Sequence, residues 1–195
     1  MRWDIPLPDS ALAYANQVIP DPARPTLVLS PCSSHERRNW STARYAALAD
    51  HAVQRHGMKV LLCGGRSPRE LEYGARIEQE MRQPCSNLIG RDTLLEFLAT
   101  LQRTTVLVSP DSGPAHMATT VGTPVIGLYA TSNPDRTGPY LSRNLCVNRY
   151  PEAAERYLGK RVTELRWGQR VRHPEAMELI TVDDVIDKFK DFYGI

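Results

Sequence analysis

Cysteine pairs and long apolar runs are both absent from this chain of 195 residues. Its four cysteines lie far apart, with no C-x-x-C pair and no histidine at zinc-finger spacing, which predicts reduced thiols. No apolar run is long enough to span a membrane, and the first residues lack the basic-then-apolar pattern of a signal peptide. These absences predict a protein that is made and kept in the cytoplasm.

A strong charge of either sign is also missing. Charged residues make up 24% of the chain and the formal net charge is only +2, which argues against nucleic acid as a partner. Neither the G-x-G-x-x-G fingerprint nor a G-K-[ST] phosphate loop occurs, which argues against a nicotinamide dehydrogenase or a P-loop NTPase. The length suits one α/β domain with an appendage.

Short apolar, β-branched runs alternate with segments of helical spacing between residues 26 and 140. This alternation predicts an α/β fold, specifically a Rossmann-like open parallel sheet with helices on both faces. Each polar loop follows the end of a predicted strand, so the loops should meet at the carboxyl edge of the sheet. Ligands bind at that edge in open α/β sheets.

Residues 106–129 read as a buried strand, a polar turn, a short helix and a second buried strand. A helix that opens directly after a strand points free N–H groups at the sheet edge, where phosphate commonly binds. His116 falls in the first helical turn, where a ring N–H could reach a phosphate or sugar oxygen. Alternatively, Asp111 and Ser112 only cap the helix and His116 packs beneath a loop. The turn alone leaves both interpretations open.

Two further loops carry candidate ligand-binding residues. After the first strand, Ser33 and Ser34 precede a pair of arginines, a combination that suits an anion but also fits a solvated basic loop. After the second strand, Gly64 and Gly65 precede Glu70. That carboxylate could hold ribose hydroxyls or could simply favour the start of a helix.

The flanking segments look different from this sheet. Residues 1–25 are rich in proline and are predicted to form a linker, whereas residues 26–195 form the domain. At about 143–172 arginines outnumber acidic residues, which predicts a basic, irregular excursion. That stretch is either a solvated surface or a surface that meets an anionic lipid headgroup or a phosphorylated acceptor.

Several motifs, taken in order, resemble the bacterial lipopolysaccharide heptosyltransferases, a family of inverting GT-B glycosyltransferases. The motifs are Pro31-x-Ser33-Ser34 with a basic residue two before Trp40, Gly64-Gly65 with Glu70 after it, Asp111-Ser112-Gly113-Pro114-x-His116, and Gly122-Thr123-Pro124-Val125 with the proline-containing loop that follows. The resemblance covers about residues 26–140. It differs from the family at Cys32, where glycine is frequent, and at Arg38, where lysine is frequent.

The resemblance implies the C-terminal, donor-binding half of a GT-B enzyme that transfers heptose from ADP-heptose to the inner core of lipopolysaccharide. Residues 1–25 would then be the linker from an N-terminal domain that binds the acceptor and carries the general base. The isolated chain would therefore be inactive, because it would carry no catalytic residue of its own. No metal is expected, because no Asp-x-Asp motif occurs. Peripheral contact with the cytoplasmic face of the inner membrane is a further expectation, and the oligomeric state is left open.

The resemblance also assigns the donor site residue by residue. Ser33 and Ser34 would approach the diphosphate, Arg38 would neutralise it, and Glu70 would hold the ribose. The residues around the diphosphate and the heptose would be Asp111, Ser112, Gly113 and His116. The alternative is a stand-alone nucleotide-binding module without transferase activity.

Overall fold

The computed structural model describes residues 3–193, in which six parallel strands form one sheet. The strands are β1 (Thr26–Leu29), β2 (Lys59–Leu62), β3 (Ser86–Asn87), β4 (Val106–Pro110), β5 (Val125–Tyr129) and β6 (Val147–Asn148). Their order across the sheet is β3-β2-β1-β4-β5-β6. Every neighbouring pair is parallel, which confirms the predicted Rossmann-like sheet.

Helices cover both faces of this sheet. In the described range they are α1 (Asp9–Val18), α2 (Thr42–His56), α3 (Pro68–Glu80), α4 (Leu94–Gln102), α5 (Gly113–Thr120), α6 (Pro134–Thr137), α7 (Tyr150–Leu158) and α8 (Val182–Tyr193). Short 3-10 helices lie at Glu36–Arg38, Arg143–Leu145, Val162–Glu164 and Ala176–Leu179.

Alternating strand residues build two separate cores. Leu27 and Leu29 of β1 belong to the larger core, which also holds buried residues of α2, α7 and α8. Val28, between them, faces the smaller core together with residues of α4 and α5. Because successive side chains of a strand point to opposite faces, these continuous apolar runs fix a sheet that is buried on both sides.

The path of the chain creates a crevice in the middle of the sheet. The chain proceeds outward from β1 to β2 and β3, then returns so that β4 pairs with the other side of β1. The loops after β1 and β4 therefore leave in opposite directions above the same edge. Such a topological switch point is where open α/β sheets bind ligands.

The first 25 residues contain more structure than a linker requires. Within them, α1 packs along α4, where Ala11, Ala15 and Ala99 are fully buried together. The Arg103 guanidinium donates to the carbonyl of Ile19 at 2.9 Å, just after α1 ends. The proposed link to another domain stays a prediction, but α1 is integrated into this fold.

The stretch 143–172 is more regular than the predicted irregular excursion. It contributes β6 to the sheet edge and includes the nine residues of α7. Tyr150, Ala153 and Ala154 are buried at helical spacing, with Tyr157 continuing the same face. The many arginines nearby concealed this apolar period of a helix. Only the part after α7 keeps the irregular character that was expected.

Candidate functional site

A cleft of about 670 Å³ opens at the carboxyl edge of the sheet, above the β1–β4 switch point. We call it the donor-side cleft, after the role that the resemblance implies for its residues. Its walls come from the loops after β1, β2, β3 and β4 and from the starts of α4 and α5. The eight residues selected from the sequence all line it: Ser33, Ser34, Arg38, Glu70, Asp111, Ser112, Gly113 and His116. The structure thus brings together every predicted site residue.

Asp111 is the central residue of this cleft. Its backbone carbonyl accepts hydrogen bonds from Ser33 Oγ and from Arg38 Nη1, both at 3.0 Å. Its carboxylate oxygen Oδ2 accepts a bond from Ser132 Oγ at 2.8 Å and lies 3.4 Å from Arg38 Nη1. Asp111 therefore ties together the loops that follow β1, β4 and β5.

Arg38 and Asp111 form a buried ion pair, with side chains only 11% and 8% exposed. Burial lowers the pKa of Arg38, the Asp111 carboxylate opposes that effect, and the nearby Arg170 guanidinium lowers the pKa further. Arginine nevertheless stays charged in proteins. Arg38 therefore pairs with Asp111 and also lines the cleft. The sequence assigned Arg38 to a diphosphate but did not predict its ion pair with Asp111.

No side chain among residues 3–193 caps the start of α5. The Ser112 Oγ contacts Ser109 Oγ at 2.7 Å instead of an amide of the first turn, and the Asp111 carboxylate is held by Arg38 and Ser132. The interpretation in which these two side chains only cap the helix is therefore wrong, although Ser112 occupies the N-cap position. The orphan amides at the start of the helix, including that of Gly113, remain for an acceptor from outside. His116 is exposed and lines the cleft, so it does not pack beneath a loop.

Glu70 has a structural partner on each carboxylate oxygen. The Gly65 amide donates to Oε1 at 2.9 Å, and Ser67 Oγ donates to Oε2 at 2.6 Å. The Glu70 amide in turn donates to Ser67 Oγ at 3.3 Å, which caps α3. A Cβ on Gly65 would lie 2.8 Å from Glu70 Oε2, so a larger residue there would displace the end of the Glu70 side chain. Glu70 thus stabilises the helix start while it lines the cleft.

Sequence reasoning missed several residues of this cleft. Arg69 donates to the Ser33 carbonyl at 2.7 Å and pairs with Glu36 at 3.2 Å. An apolar wall is formed by Leu94, Phe97 and Met117. The loop after β3 also ends at the carboxyl edge of the sheet, so the same rule that selected the other loops could have found Leu94.

Asp92 is a carboxylate in an unfavourable place at the α4 end of the cleft. Its Oδ2 is buried and has no hydrogen-bond partner among the described residues. Burial raises the pKa of Asp92 to about 6. Burial, and after it the charge of Asp92, raises the pKa of Tyr14 of α1 to about 12. Burial likewise raises the pKa of the Cys32 thiol to about 12, so this thiol is not a nucleophile at neutral pH.

The described residues bear on the expectations about a membrane and a metal. Across residues 3–193 no helix is both long and apolar enough to cross a membrane. The same residues contain no group of three or more histidine, cysteine or acidic side chains placed to hold a metal ion. That the chemistry needs no metal stays a prediction.

Comparison with known proteins identifies relatives of most of the chain. The family described as "Glycosyltransferase family 9 (heptosyltransferase)" matches residues 1–165. The "Lipopolysaccharide core heptosyltransferase OpsX" of Haemophilus influenzae is 38% identical over 189 residues, which are 97% of this chain and 54% of OpsX. The chain therefore spans about half the length of this curated relative.

Solved structures support the same fold. A glycosyl transferase family 9 protein from Veillonella parvula matches 96% of this chain and 52% of its own, with a TM-score of 0.77 and 21% identity. The E. coli ADP-heptose lps heptosyltransferase II matches 97% of this chain and 53% of its own, with a TM-score of 0.71 and 22% identity. The family match over more than four fifths of the sequence confirms the resemblance seen in the motifs: the chain belongs to glycosyltransferase family 9, the heptosyltransferase family.

Proposed function

We propose that this chain provides the donor side of a heptosyl transfer and binds the diphosphate of an ADP-heptose donor in the donor-side cleft. The observation that carries this proposal is the uncapped start of α5, which lies in one cleft with Arg38 at the topological switch point. Orphan amides, a helix dipole and a guanidinium together favour a diphosphate. The related E. coli protein is named for ADP-heptose, which supports the choice of donor.

The walls of the cleft suggest how the donor would be oriented. The amide of Gly113, the exposed hydroxyl of Ser34 and the donors of Arg38 would contact the diphosphate. His116 would reach a phosphate or sugar oxygen from the first turn of α5. The apolar wall formed by Leu94, Phe97 and Met117 would receive the base, since bases stack on apolar and aromatic side chains.

The proposed chemistry is a single displacement at the anomeric carbon of the donor sugar. A bond forms from the acceptor oxygen to that carbon while the bond to the diphosphate oxygen breaks, and its electron pair leaves with ADP. Arg38 and the α5 amides would stabilise the negative charge that develops on the departing diphosphate. This chain's contribution is therefore leaving-group stabilisation.

The base that takes the acceptor proton is proposed to lie outside this chain. Two of the three carboxylates that line the cleft are held by the fold, Asp111 by Arg38 and Ser132 and Glu70 by Gly65 and Ser67. The third, Asp92, has its Oδ2 buried, out of reach of an acceptor in the cleft. The acceptor, the core of lipopolysaccharide, would then be presented from elsewhere in the complete enzyme. This division supports the proposal that the chain alone binds donor without transferring it.

The alternative is a stand-alone nucleotide-binding module. The observation in its favour is that all eight selected residues meet within this one chain. The two proposals are separated by an assay of heptose transfer in which this chain is mixed with a family member from which the matching half has been removed. Restored transfer upon mixing supports the donor-half function, whereas binding without restoration supports the module.

Calorimetric titration with ADP, UDP and GDP tests the proposed donor. We expect ADP to bind best, and Ser34→Ala and His116→Ala each to weaken ADP by about 2- to 10-fold, the effect of one hydrogen bond. Ser10→Ala, an exposed serine on α1, is the matched control and should bind as the parent chain does. Absence of diphosphate binding, or unchanged affinity in both site variants, would contradict the proposal.

A further inference from the structure

A second cleft of about 540 Å³ adjoins the donor-side cleft. The two share Ser34, Arg38 and Arg69 as a common wall. The other walls of the second cleft come from the 3-10 helix at Glu36–Arg38, from Thr131 after β5 and from residues 170–172. A molecule in the second cleft would therefore lie beside whatever occupies the first.

Positive charge dominates the second cleft. Its arginines are Arg37, Arg38, Arg69, Arg170 and Arg172, and its only acidic lining residue is Glu36. Glu36 pairs with Arg69, and Arg38 pairs with Asp111. The other three arginines form no ion pair with a carboxylate of residues 3–193. The wall thus carries three positive charges that the described part of the chain does not neutralise.

These charges are held in place by the fold. The Val171 amide donates to the Thr131 carbonyl at 2.9 Å, and the Val171 side chain is buried in the larger core. The Arg37 guanidinium donates to the carbonyl of Arg172, which joins the two sides of the cleft. Arg170 is close enough to Arg38 to lower the pKa of that group. A fixed backbone therefore keeps like charges together, at an electrostatic cost that a bound anion would remove.

We propose that the second cleft binds an oxyanion, a phosphomonoester or a carboxylate, carried by the sugar that accepts the transferred group. The anion site follows from the arginines alone, whereas its assignment to the acceptor rests on the proposed function. Guanidinium groups bind phosphate and carboxylate oxygens with paired hydrogen bonds. The shared wall places that anion next to the proposed diphosphate, where the acceptor must approach the anomeric carbon.

The shape of the surface favours a sugar over a membrane. A concave cleft of this volume accommodates a small molecule, whereas a lipid surface is met by an exposed, convex patch. A further cleft of about 520 Å³ shares Arg170 and Arg172 and adds Arg136. The basic groove therefore continues away from the donor-side cleft, which leaves room for the rest of an acceptor.

Titration of the ADP-saturated chain with glucose 6-phosphate tests this site, with glucuronate as the carboxylate probe. We expect one equivalent of at least one probe to bind, and the double variant Arg170→Ala, Arg172→Ala to weaken it at least 10-fold without changing ADP affinity. The matched control is Arg55→Ala, Arg82→Ala, which removes two exposed arginines at the opposite edge of the sheet and should bind like the parent. If the alanine variant does not fold, Arg170→Gln, Arg172→Gln replaces it.

Three outcomes would overturn the proposal. In the first, neither probe binds the ADP-saturated parent chain. In the second, the double variant loses ADP affinity, which would assign both arginines to the donor. In the third, a sugar probe binds, but vesicles of 3:1 phosphatidylcholine and phosphatidylglycerol bind more tightly through Arg170 and Arg172. Failure of the proposed donor function gives a different result, since ADP then fails to bind while the probes still bind the ADP-free chain.

Discussion

The two adjoining clefts use arginine in opposite ways. In the donor-side cleft Arg38 is almost completely buried and is matched by the Asp111 carboxylate. In the second cleft Arg170 is half-buried and Arg172 is exposed, with no carboxylate of the described chain paired to either. A buried charge without an internal partner destabilises the fold, whereas an exposed charge stays solvated until a ligand binds it. The comparison separates Arg38, whose charge the fold already pairs with a carboxylate, from arginines whose charge the described chain leaves unpaired.

The largest effect is expected from Asp111→Ala. This change leaves the Arg38 charge buried without its carboxylate and removes the acceptor of Ser132, which should lower the free energy of unfolding by about 3–5 kcal/mol. Urea denaturation measures this loss, with Asp135→Ala on exposed α6 as the matched control. Adding Arg38→Met to Asp111→Ala should recover part of the stability. A loss below about 1 kcal/mol would contradict the central role of Asp111.

Gly113→Ala should separate binding from folding within the donor-side cleft. A Cβ there meets no protein atom within 4 Å, so stability should be unchanged or rise by up to about 1 kcal/mol. The added methyl group would instead obstruct a diphosphate that approaches the α5 amides, and ADP affinity should fall about 10-fold, equivalent to about 1.4 kcal/mol. Adenosine serves as the control ligand and should bind as before. Unchanged ADP affinity would exclude backbone contact at Gly113.

Asp92→Asn addresses the one acidic group of the donor-side cleft whose buried oxygen has no partner in residues 3–193. The folded-state pKa of Asp92, about 6, lies above the usual value of 3.8, so the folded state binds the proton more tightly. The carboxylate therefore destabilises the fold increasingly as pH rises from about 4 through 6. Asp92→Asn should raise Tm by about 2–4 °C at pH 7.5 and leave it unchanged at pH 4. An equal gain at both pH values would show that charge is not the cause.

The smallest effect is expected from Arg172→Ala in the second cleft. The side chain is exposed and forms no ion pair within the described residues, so the free energy of unfolding should change by less than about 0.5 kcal/mol. Chemical denaturation beside Asp111→Ala gives the direct contrast. A loss of more than about 1 kcal/mol would make this arginine structural and would weaken the distinction between the clefts.

Much of the fold followed from local patterns. The βαβ unit at residues 106–129 is correct because two continuous apolar runs, each buried along its whole length, flank a short segment in which Ala115 and Ala118 are buried at helical spacing. The candidate site residues meet in one cleft because they follow strand ends, which must share one edge in a parallel sheet. Glu70 was predictable in another way, since Ser67-x-x-Glu70 is a helix-capping pattern that was visible in the sequence.

Other features depend on tertiary contacts that no local pattern reveals. Arg38 and Asp111 are 73 residues apart, so their ion pair exists only after β1 and β4 are neighbours. The second cleft likewise needs residues 170–172 to return beside the loop after β1. The sequence shows that this segment is rich in arginine, but it does not show that these arginines line a groove. Similarly, the charge pattern of residues 143–172 concealed α7.

The hydrogen bonds to the Asp111 carbonyl have a kinetic consequence. Their donors, Ser33 and Arg38, lie 78 and 73 residues away in the chain, so these bonds close long loops. Loop closure over such distances is slow and depends on sheet pairing already formed nearby. We therefore expect nucleotide affinity to develop late during refolding, after the secondary structure. Bound ADP would then report completion of the native topology and not the earlier appearance of helices.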